Sequence, residues 1–313
     1  MRLTNTTGLP APLVAVAEKL YGSHPKMGED VFSATEILKS VRQIVMGRLY
    51  GDEIEQDVQD TFSAWFGTSI HDLLEKEGKN LEGYMTETRL EAKLGDFTIS
   101  GEFDLLDTEN NVLYDYKTCK VATIDQNRTL KEDKWIRQLY LYRWILEQNG
   151  YEPPKKGVII AMATDYSKIK ASNTPGYPEH PIQILEWDLD DMDFLNSVLE
   201  SAEAKAIEAR RLINEGGDLP KCSYSDCWCT EDYAIKKDGT ARAIKKFDTE
   251  DEARASFLES YKDRPGFRLF HRVSEFRNCR YYCPYSGICE QWQSINGEDK
   301  LEEDITNEEY IPF

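Results

Sequence analysis

The sequence predicts an α/β fold: a mixed sheet flanked by helices, followed by a cysteine-rich, metal-stapled region. Three observations carry this expectation. Strand-like and helix-like periodicities alternate from residue 31 to residue 214. Val158–Ala163 is a continuous apolar run with the length of a strand buried on both faces. Six of the seven cysteines follow Pro220, and clustering of that kind in a reducing compartment points to metal rather than disulfides.

Taken in order, Val31–Leu49 reads as a helix opened by the capping-type Ser33-Ala-Thr35-Glu36. Asp57–Glu77 reads as a second, with Val58, Phe62, Trp65, Phe66, Ile70 and Leu73 at helical spacing. Thr86–Thr118 reads as three strands with a first turn at Leu94-Gly95-Asp96. Glu132–Gln148 is a third helix, ended by Asn149-Gly150. Ile182–Asp188 is a further strand. Asp190–Asn214 is a long helix stopping before Gly216-Gly217. Past Pro220 the composition changes. Tyr233–Phe247 reads as a basic hairpin around Asp238-Gly239, and Thr249-x-x-Glu252 opens a helix as a capping box. The expected organisation is a core over 1–220, a cysteine-rich region with the hairpin over 221–297, and an acidic tail over 298–313.

The chain has 313 residues and a net charge of −19. Such acidity argues against a nonspecific nucleic-acid coat protein, because phosphate binding runs on lysine and arginine, but it leaves room for an enzyme with a local basic channel. Glu298–Glu309 holds seven acids and one lysine, and reads as a solvated or disordered end. No apolar run approaches a membrane span, and Leu13–Ala17 makes no convincing signal peptide, so the expected location is the cytoplasm.

The chemistry concentrates in Gly101–Cys119. If Asp107 pairs with Val112, Asp104 faces Asp115 across the hairpin, and like charges directly opposite destabilise a sheet. Asp115 and Lys117 share a face. Two facing carboxylates with an ammonium suit a hard divalent cation, Mg²⁺ or Mn²⁺, with the lysine steadying a water or a phosphate oxygen. A slipped register would instead leave a solvated hairpin. On a helical wheel His71 lies opposite Phe62, Phe66 and Leu73 and beside Ala64, Gly67 and Glu75. It reads either as a third metal ligand or as an exposed histidine. Gln138 and Tyr142 fall on the apolar side of their helix, where an amide needs a partner: a phosphate, a base edge, a carboxylate or backbone.

This ordered set resembles the RecB-like branch of the PD-(D/E)XK nuclease superfamily. The matching residues are Phe66-Gly67-Thr68-Ser69-Ile70-His71, Gly101-Glu102-Phe103-Asp104, Asp115-Tyr116-Lys117 and Gln138-x-x-x-Tyr142, within roughly residues 33–165. They follow the family's helix histidine, G-x-x-D, (D/E)-x-K and Q-x-x-x-Y in order. The texture is nearest to phage-encoded exonucleases related to CRISPR-associated nucleases. The resemblance implies a restriction-endonuclease-like sheet and phosphodiester hydrolysis. Asp104 and Asp115 become metal ligands, His71 a third, and Glu87 a ligand to a second metal. Lys117 would orient the attacking water. Gln138 and Tyr142 would position the DNA backbone or the lysine.

Cys279-x3-Cys283-x5-Cys289 offers three thiolates that want a fourth. Cys222 is the choice, with Cys227 and Cys229 as rivals. The resemblance implies a [4Fe–4S] cluster, with zinc on four cysteines as the alternative. The chain departs from the family in a spacer of three rather than two, and in a distant cysteine that follows the core. Lys236, Lys237, Arg242, Lys245 and Lys246 either grip a DNA backbone or form a solvated hairpin balanced by neighbouring acids.

The expected function is a metal-dependent DNA exonuclease acting at ends, for phage recombination or repair. Two others compete: a DNA-end-binding adaptor with little cutting of its own, and a prespacer-processing module of CRISPR adaptation. The aspartates with Lys117 favour the enzyme, since an adaptor does not need the lysine. No G-x-x-x-x-G-K-[ST] stretch is present, so unwinding needs a helicase partner. A recombinase, an integrase or a second copy of the chain are further expected partners.

Overall fold

The computed structural model describes residues 2–22, 27–124, 129–295 and 301–306. The chain divides into two compact units, Met1–Leu219 and Pro220–Phe313.

The first unit begins with β1 (Arg2–Thr4), α1 (Ala11–Gly22), β2 (Val31–Ser33), α2 (Ala34–Ile37), α3 (Val41–Tyr50) and β3 (Glu55–Asp57). α4 (Phe62–Gly78) leads into β4 (Tyr84–Leu94), β5 (Phe97–Asp107) and β6 (Val112–Cys119). α5 (Val121–Ile124), α6 (Thr129–Gln148), β7 (Lys156–Ala163), α7 (Lys168–Asn173), β8 (Ile182–Asp188) and α8 (Met192–Glu215) complete it. β1 and β3 form a small parallel pair. The main sheet runs β2-β5-β6-β7-β8, with β4 on the other edge of β5. β6 and β7 are parallel, which requires a crossover, and α6 supplies it.

α6 is buried on nearly every side, from Leu139 through Leu146, because it lies between the sheet and α8. α8 turns Leu195, Val198, Ala202, Ala206, Ala209 and Leu212 inward at helical spacing. Its alanines allow close approach.

One expectation for the first unit changes, and one open question closes. Val31–Leu49 is not one helix. Val31–Ser33 pairs with β5, and Phe32 is fully buried there. Ser33 then caps α2 (Glu36 N–H to Ser33 Oγ, 3.0 Å), and Ser40 restarts the chain as α3 with a capping box to Gln43. The open question concerns α4. Its apolar stripe faces outward: Phe62, Phe66 and Leu73 are 64%, 45% and 56% exposed. The inward face is the one with small and polar residues. At Gly67 an added Cβ would stand 3.2 Å from Thr118 Oγ1 of β6, so the missing side chain sets how closely the helix lies.

The second unit holds β9 (Glu231–Lys237), β10 (Lys245–Phe247), α9 (Glu250–Ser260), β11 (Phe267–Val273) and the short α10 (Arg277–Tyr281) and α11 (Glu290–Ser294). β12 (Leu301–Asp304) closes a four-stranded sheet of order β10-β9-β11-β12. α9 packs Ala253 and Phe257 on Ile235, Leu269 and Ile305. The acidic tail is thus not simply a solvated end. Leu301–Asp304 pairs with β11, and Glu302 and Asp304 bind Lys236 and Arg268. Residues 298–300 and 307–313 of the predicted tail lie outside the described residues. Among the described residues no helix is long and apolar enough to cross a membrane.

Candidate active site

The site begins where two strands part. β5 meets β6 at Asp107↔Val112, Leu106↔Leu113 and Leu105↔Tyr114, the register expected from the turn. The ladder then stops. β2 takes the same edge of β5 only at Thr98–Ser100. Gly101–Asp104 is left facing an opening, while β6 runs on beside β7. Asp104 and Asp115 are the pair just beyond the last rung. Splaying the strands relieves the like-charge contact that the register imposes. Asp104 Oδ2 accepts the Tyr116 N–H at 2.6 Å across the gap.

α4 brings His71 to this opening. His71 Nδ1 lies 3.4 Å from Asp104 Oδ1 and 3.5 Å from Glu87 Oε1, and its Nε2 lies 3.2 Å from the Tyr116 carbonyl. Glu87 is opposite Asp104 on β4 and has φ 41°, in the left-handed region that a β-strand glutamate rarely enters. Strain of that kind persists where surrounding structure fixes it and a site uses it. One ligand atom from each of His71, Glu87 and Asp104 falls within a 4.8 Å group. Imidazole and two carboxylates form a donor set suited to Mg²⁺ or Mn²⁺.

Asp115 stands at the floor of the opening, 1% exposed. Neither of its oxygens accepts a well-aligned hydrogen bond. Lys117 Nζ lies 2.5 Å from Oδ2, close enough for an ion pair although the angle is poor. A buried carboxylate with unfilled acceptor positions is the environment a cation would complete. The lysine is held from behind: Nζ donates to Gln138 Oε1 (3.1 Å), and Gln138 Nε2 donates to Tyr142 Oη (2.8 Å). α6 can come this near because residue 101 is glycine. A Cβ there would stand 2.7 Å from Ile145 Cδ1 and 3.0 Å from the Tyr142 ring.

Charge and burial act on these groups together. Asp104, then Glu87, raise the His71 pKa to about 10, against burial. Burial pushes Asp115 up to about 6, opposed by Lys117. Burial is also the largest cause raising Glu87 and Tyr142. Burial therefore makes Glu87 and Asp115 harder to ionise, while the neighbouring carboxylates favour the protonated form of His71.

The family model of the PD-(D/E)XK nuclease superfamily matches residues 15–290. The chain belongs to this superfamily. Among solved structures, a protein called SSO0001 is 18% identical over 63% of this chain and 83% of its own, with a TM-score of 0.43. A phage-related exonuclease from Haemophilus somnus 129PT is 16% identical over 64% of this chain and 95% of its own, with a TM-score of 0.35. No curated protein matches significantly.

One contact of the site carries no signal in the sequence. Tyr116 contributes through its main chain, where residue type says nothing. Arg89 and Glu102 form a cross-strand ion pair on the face that carries Glu87, and Glu102 helps raise the Glu87 pKa. The β4–β5 register, countable from the turn at Gly95, could have revealed both.

In the second unit the cysteines meet differently from the expected set. The Cys227 thiol is hydrogen-bonded to Cys222 and Cys279. The expected Cys222 and Cys279 therefore come together through a residue read as a rival. Cys229 and Cys289 are buried, and Cys283 N–H donates to the Asn278 carbonyl at 2.7 Å. The basic residues also divide. Lys236 binds Glu302 at 2.7 Å and lies over Phe270. Lys245 donates to Ser256, and Lys246 stands 3.8 Å from Asp232. Lys237, Arg242, Lys245 and Lys246 are exposed.

Proposed function

We propose that this chain is a divalent-metal-dependent deoxyribonuclease that hydrolyses phosphodiester bonds at DNA ends, an exonuclease of the RecB-like branch serving phage recombination or repair in the host cytoplasm. One observation carries the reading: the His71–Glu87–Asp104 group beside a buried Asp115 whose oxygens lack aligned donors, with Lys117 at its edge.

Mg²⁺ or Mn²⁺ would be held by His71, Glu87 and Asp104, with Asp115 adjoining. When bound, it supplies charge for the developing oxyanions and lowers the pKa of water. The rest is the work of side chains. Lys117 presents an ammonium whose position is fixed by Asp115 and Gln138, so it can hold a water or a phosphate oxygen without reorganising. Gln138 and Tyr142 act on the lysine, which makes them positioning residues. Tyr116 N–H fixes one Asp104 oxygen and leaves the other directed at His71. The exposed Lys237, Arg242, Lys245 and Lys246 suit contact with a DNA backbone. An iron–sulfur cluster on the C-terminal cysteines belongs to the same reading, with zinc as its alternative. A helicase, recombinase or integrase would supply unwinding or recruitment.

The test is protein purified without oxygen and given Mn²⁺ with end-labelled linear DNA and covalently closed circles. Linear DNA should be degraded from its ends, circles should survive, and chelator should stop the reaction. Linear DNA bound at its ends but left intact in Mn²⁺ would turn the reading toward an end-binding adaptor.

A further inference from the structure

β7 and β8 are neighbouring antiparallel strands, a pair that about two to five residues suffice to join. This chain uses the whole of 164–181 instead. The loop is braced from within. At its base Ala163 N–H donates to the Pro181 carbonyl (2.8 Å). Ser167 N–H donates to Tyr177 Oη (2.9 Å), Tyr166 Oη donates to the Glu179 carbonyl, and the two tyrosine rings lie 5.9 Å apart. On this brace stands α7, none of whose residues is buried. It opens with Lys168-Ile169-Lys170. Ile169 is 76% exposed, the most exposed large apolar side chain among the described residues. A single exposed isoleucine is ordinary on a protein surface. This one is held out on a braced loop between two exposed lysines, in a chain of net charge −19. Among the described residues Lys168, Lys170 and the exposed Lys120 form no ion pair.

The loop leaves the sheet beside the candidate active site. Lys117 is paired with Ala161, and β6 ends at Cys119, level with Ala163. Thr164 N–H donates to the Cys119 carbonyl (2.8 Å), and Asp165 Oδ1 accepts the Val121 N–H (2.7 Å). Lys120 is thereby fixed against the foot of the loop. From Ala161, level with Lys117, to Asp165 the extended chain covers about 13 Å, which matches about four nucleotides along one DNA strand.

We propose that Lys168-Ile169-Lys170 is a DNA wedge: the two lysines, with Lys120, hold phosphates of the strand that passes through the site, and Ile169 enters between two bases and unstacks them. The choice of DNA as ligand rests on the nuclease reading. Apolar side chains part base steps where backbone contacts press the duplex onto them. The lysines supply those contacts, and the tyrosine brace keeps the tip from folding away. A protein partner fits less well, because the centre of a protein interface is depleted of lysine and built from contiguous apolar surface.

The test uses the full chain with Ca²⁺ in place of Mn²⁺, a larger oxygen-bound cation, so that binding is read ahead of cutting. The probe is duplex DNA with 2-aminopurine at successive positions from one end, whose fluorescence rises where a base is unstacked. Wild type should raise it at a step about four nucleotides from the end. Ile169→Ser should lose the rise, and Ile169→Leu should keep it. Lys168→Ala with Lys170→Ala should make the salt dependence of binding shallower by about 1.8 in log–log slope, at about 0.9 for each phosphate. No rise with wild type, an equal rise with Ile169→Ser, or an unchanged slope would each overturn the proposal. So would a smaller oligomer on Ile169→Ser, which would make the tip a contact between copies of the chain. A protein that never cuts in Mn²⁺ but unstacks DNA through Ile169 would sink the nuclease reading and leave the wedge standing. A wild type that cuts and gives no rise would do the reverse.

Discussion

His71 sits within 3.5 Å of two carboxylate oxygens, and that contact has a pH consequence. Its folded pKa is raised to about 10 from 6.5, so its contribution to stability is complete below pH 6.5 and is lost as pH rises toward 10. Asp115 is raised from 3.8 to about 6, so keeping it ionised costs stability progressively across that lower window. Both shifts make the chelated protein less stable as pH rises. A cation needs the neutral imidazole and ionised acids, so its binding releases protons and strengthens with pH. Melting temperature with and without Mg²⁺ should diverge between pH 6 and pH 9, and His71→Ala should reduce the divergence. A gap that does not change with pH would contradict this. At this scale Asp104, Asp115 and Lys117 were legible, because alternation fixes which side chains share a face. Glu87 was named only through the family resemblance, as a ligand to a second metal; its place beside His71 and Asp104 follows from the register of a third strand. The part played by Tyr116 runs through its peptide group, which no sequence pattern encodes.

α4 shows where element-level reading stops. Periodicity located the helix and set His71 opposite its apolar stripe, but left open which of the two faces meets the sheet. The helix turns Gly67 and His71 to the sheet: Gly67 lies close to Thr118 of β6, and His71 reaches the Tyr116 carbonyl and Asp104. Phe66→Ser should therefore shift the melting temperature little, whereas Gly67→Val should lower DNA cleavage by displacing His71. Equal effects of the two on cleavage would return the stripe to the core. Gly101 makes the same point on β5. Gly101→Ala pushes a methyl into Ile145 and Tyr142, and overpacking of this kind costs about 1–3 kcal/mol. It should also loosen the Gln138–Lys117 contact, so cleavage should fall at a temperature where the variant remains folded. Val31–Leu49 failed for a different reason: Ser33 and Ser40 are both good caps, and only pairing with β5 reveals the break.

Across the whole molecule, the change in composition at Pro220 coincides with the division into two units. The acidic tail looked solvated because its charge suggested nothing to bury. β11 supplies the missing half of the argument: an unpaired strand edge with Arg268 and Arg272, beside Lys236, accepts an acidic strand. Ending the chain before Leu301 removes β12 and Ile305 from the second core. Amide exchange should then accelerate in β11 and stay unchanged in β5 and β6. Unchanged exchange in β11 would show that β12 adds nothing to the second unit.

The central claim is that the Asp104–Asp115–Lys117 constellation cuts DNA, and Lys117→Met tests it most directly by removing the ammonium while keeping the length of the side chain. With Mn²⁺ and labelled linear DNA, wild type should degrade the substrate and the variant should be slower by about 10²-fold or more, with DNA binding and melting temperature largely retained. A variant that cuts as fast as wild type, or a wild type that binds ends and never cuts them, would contradict the account.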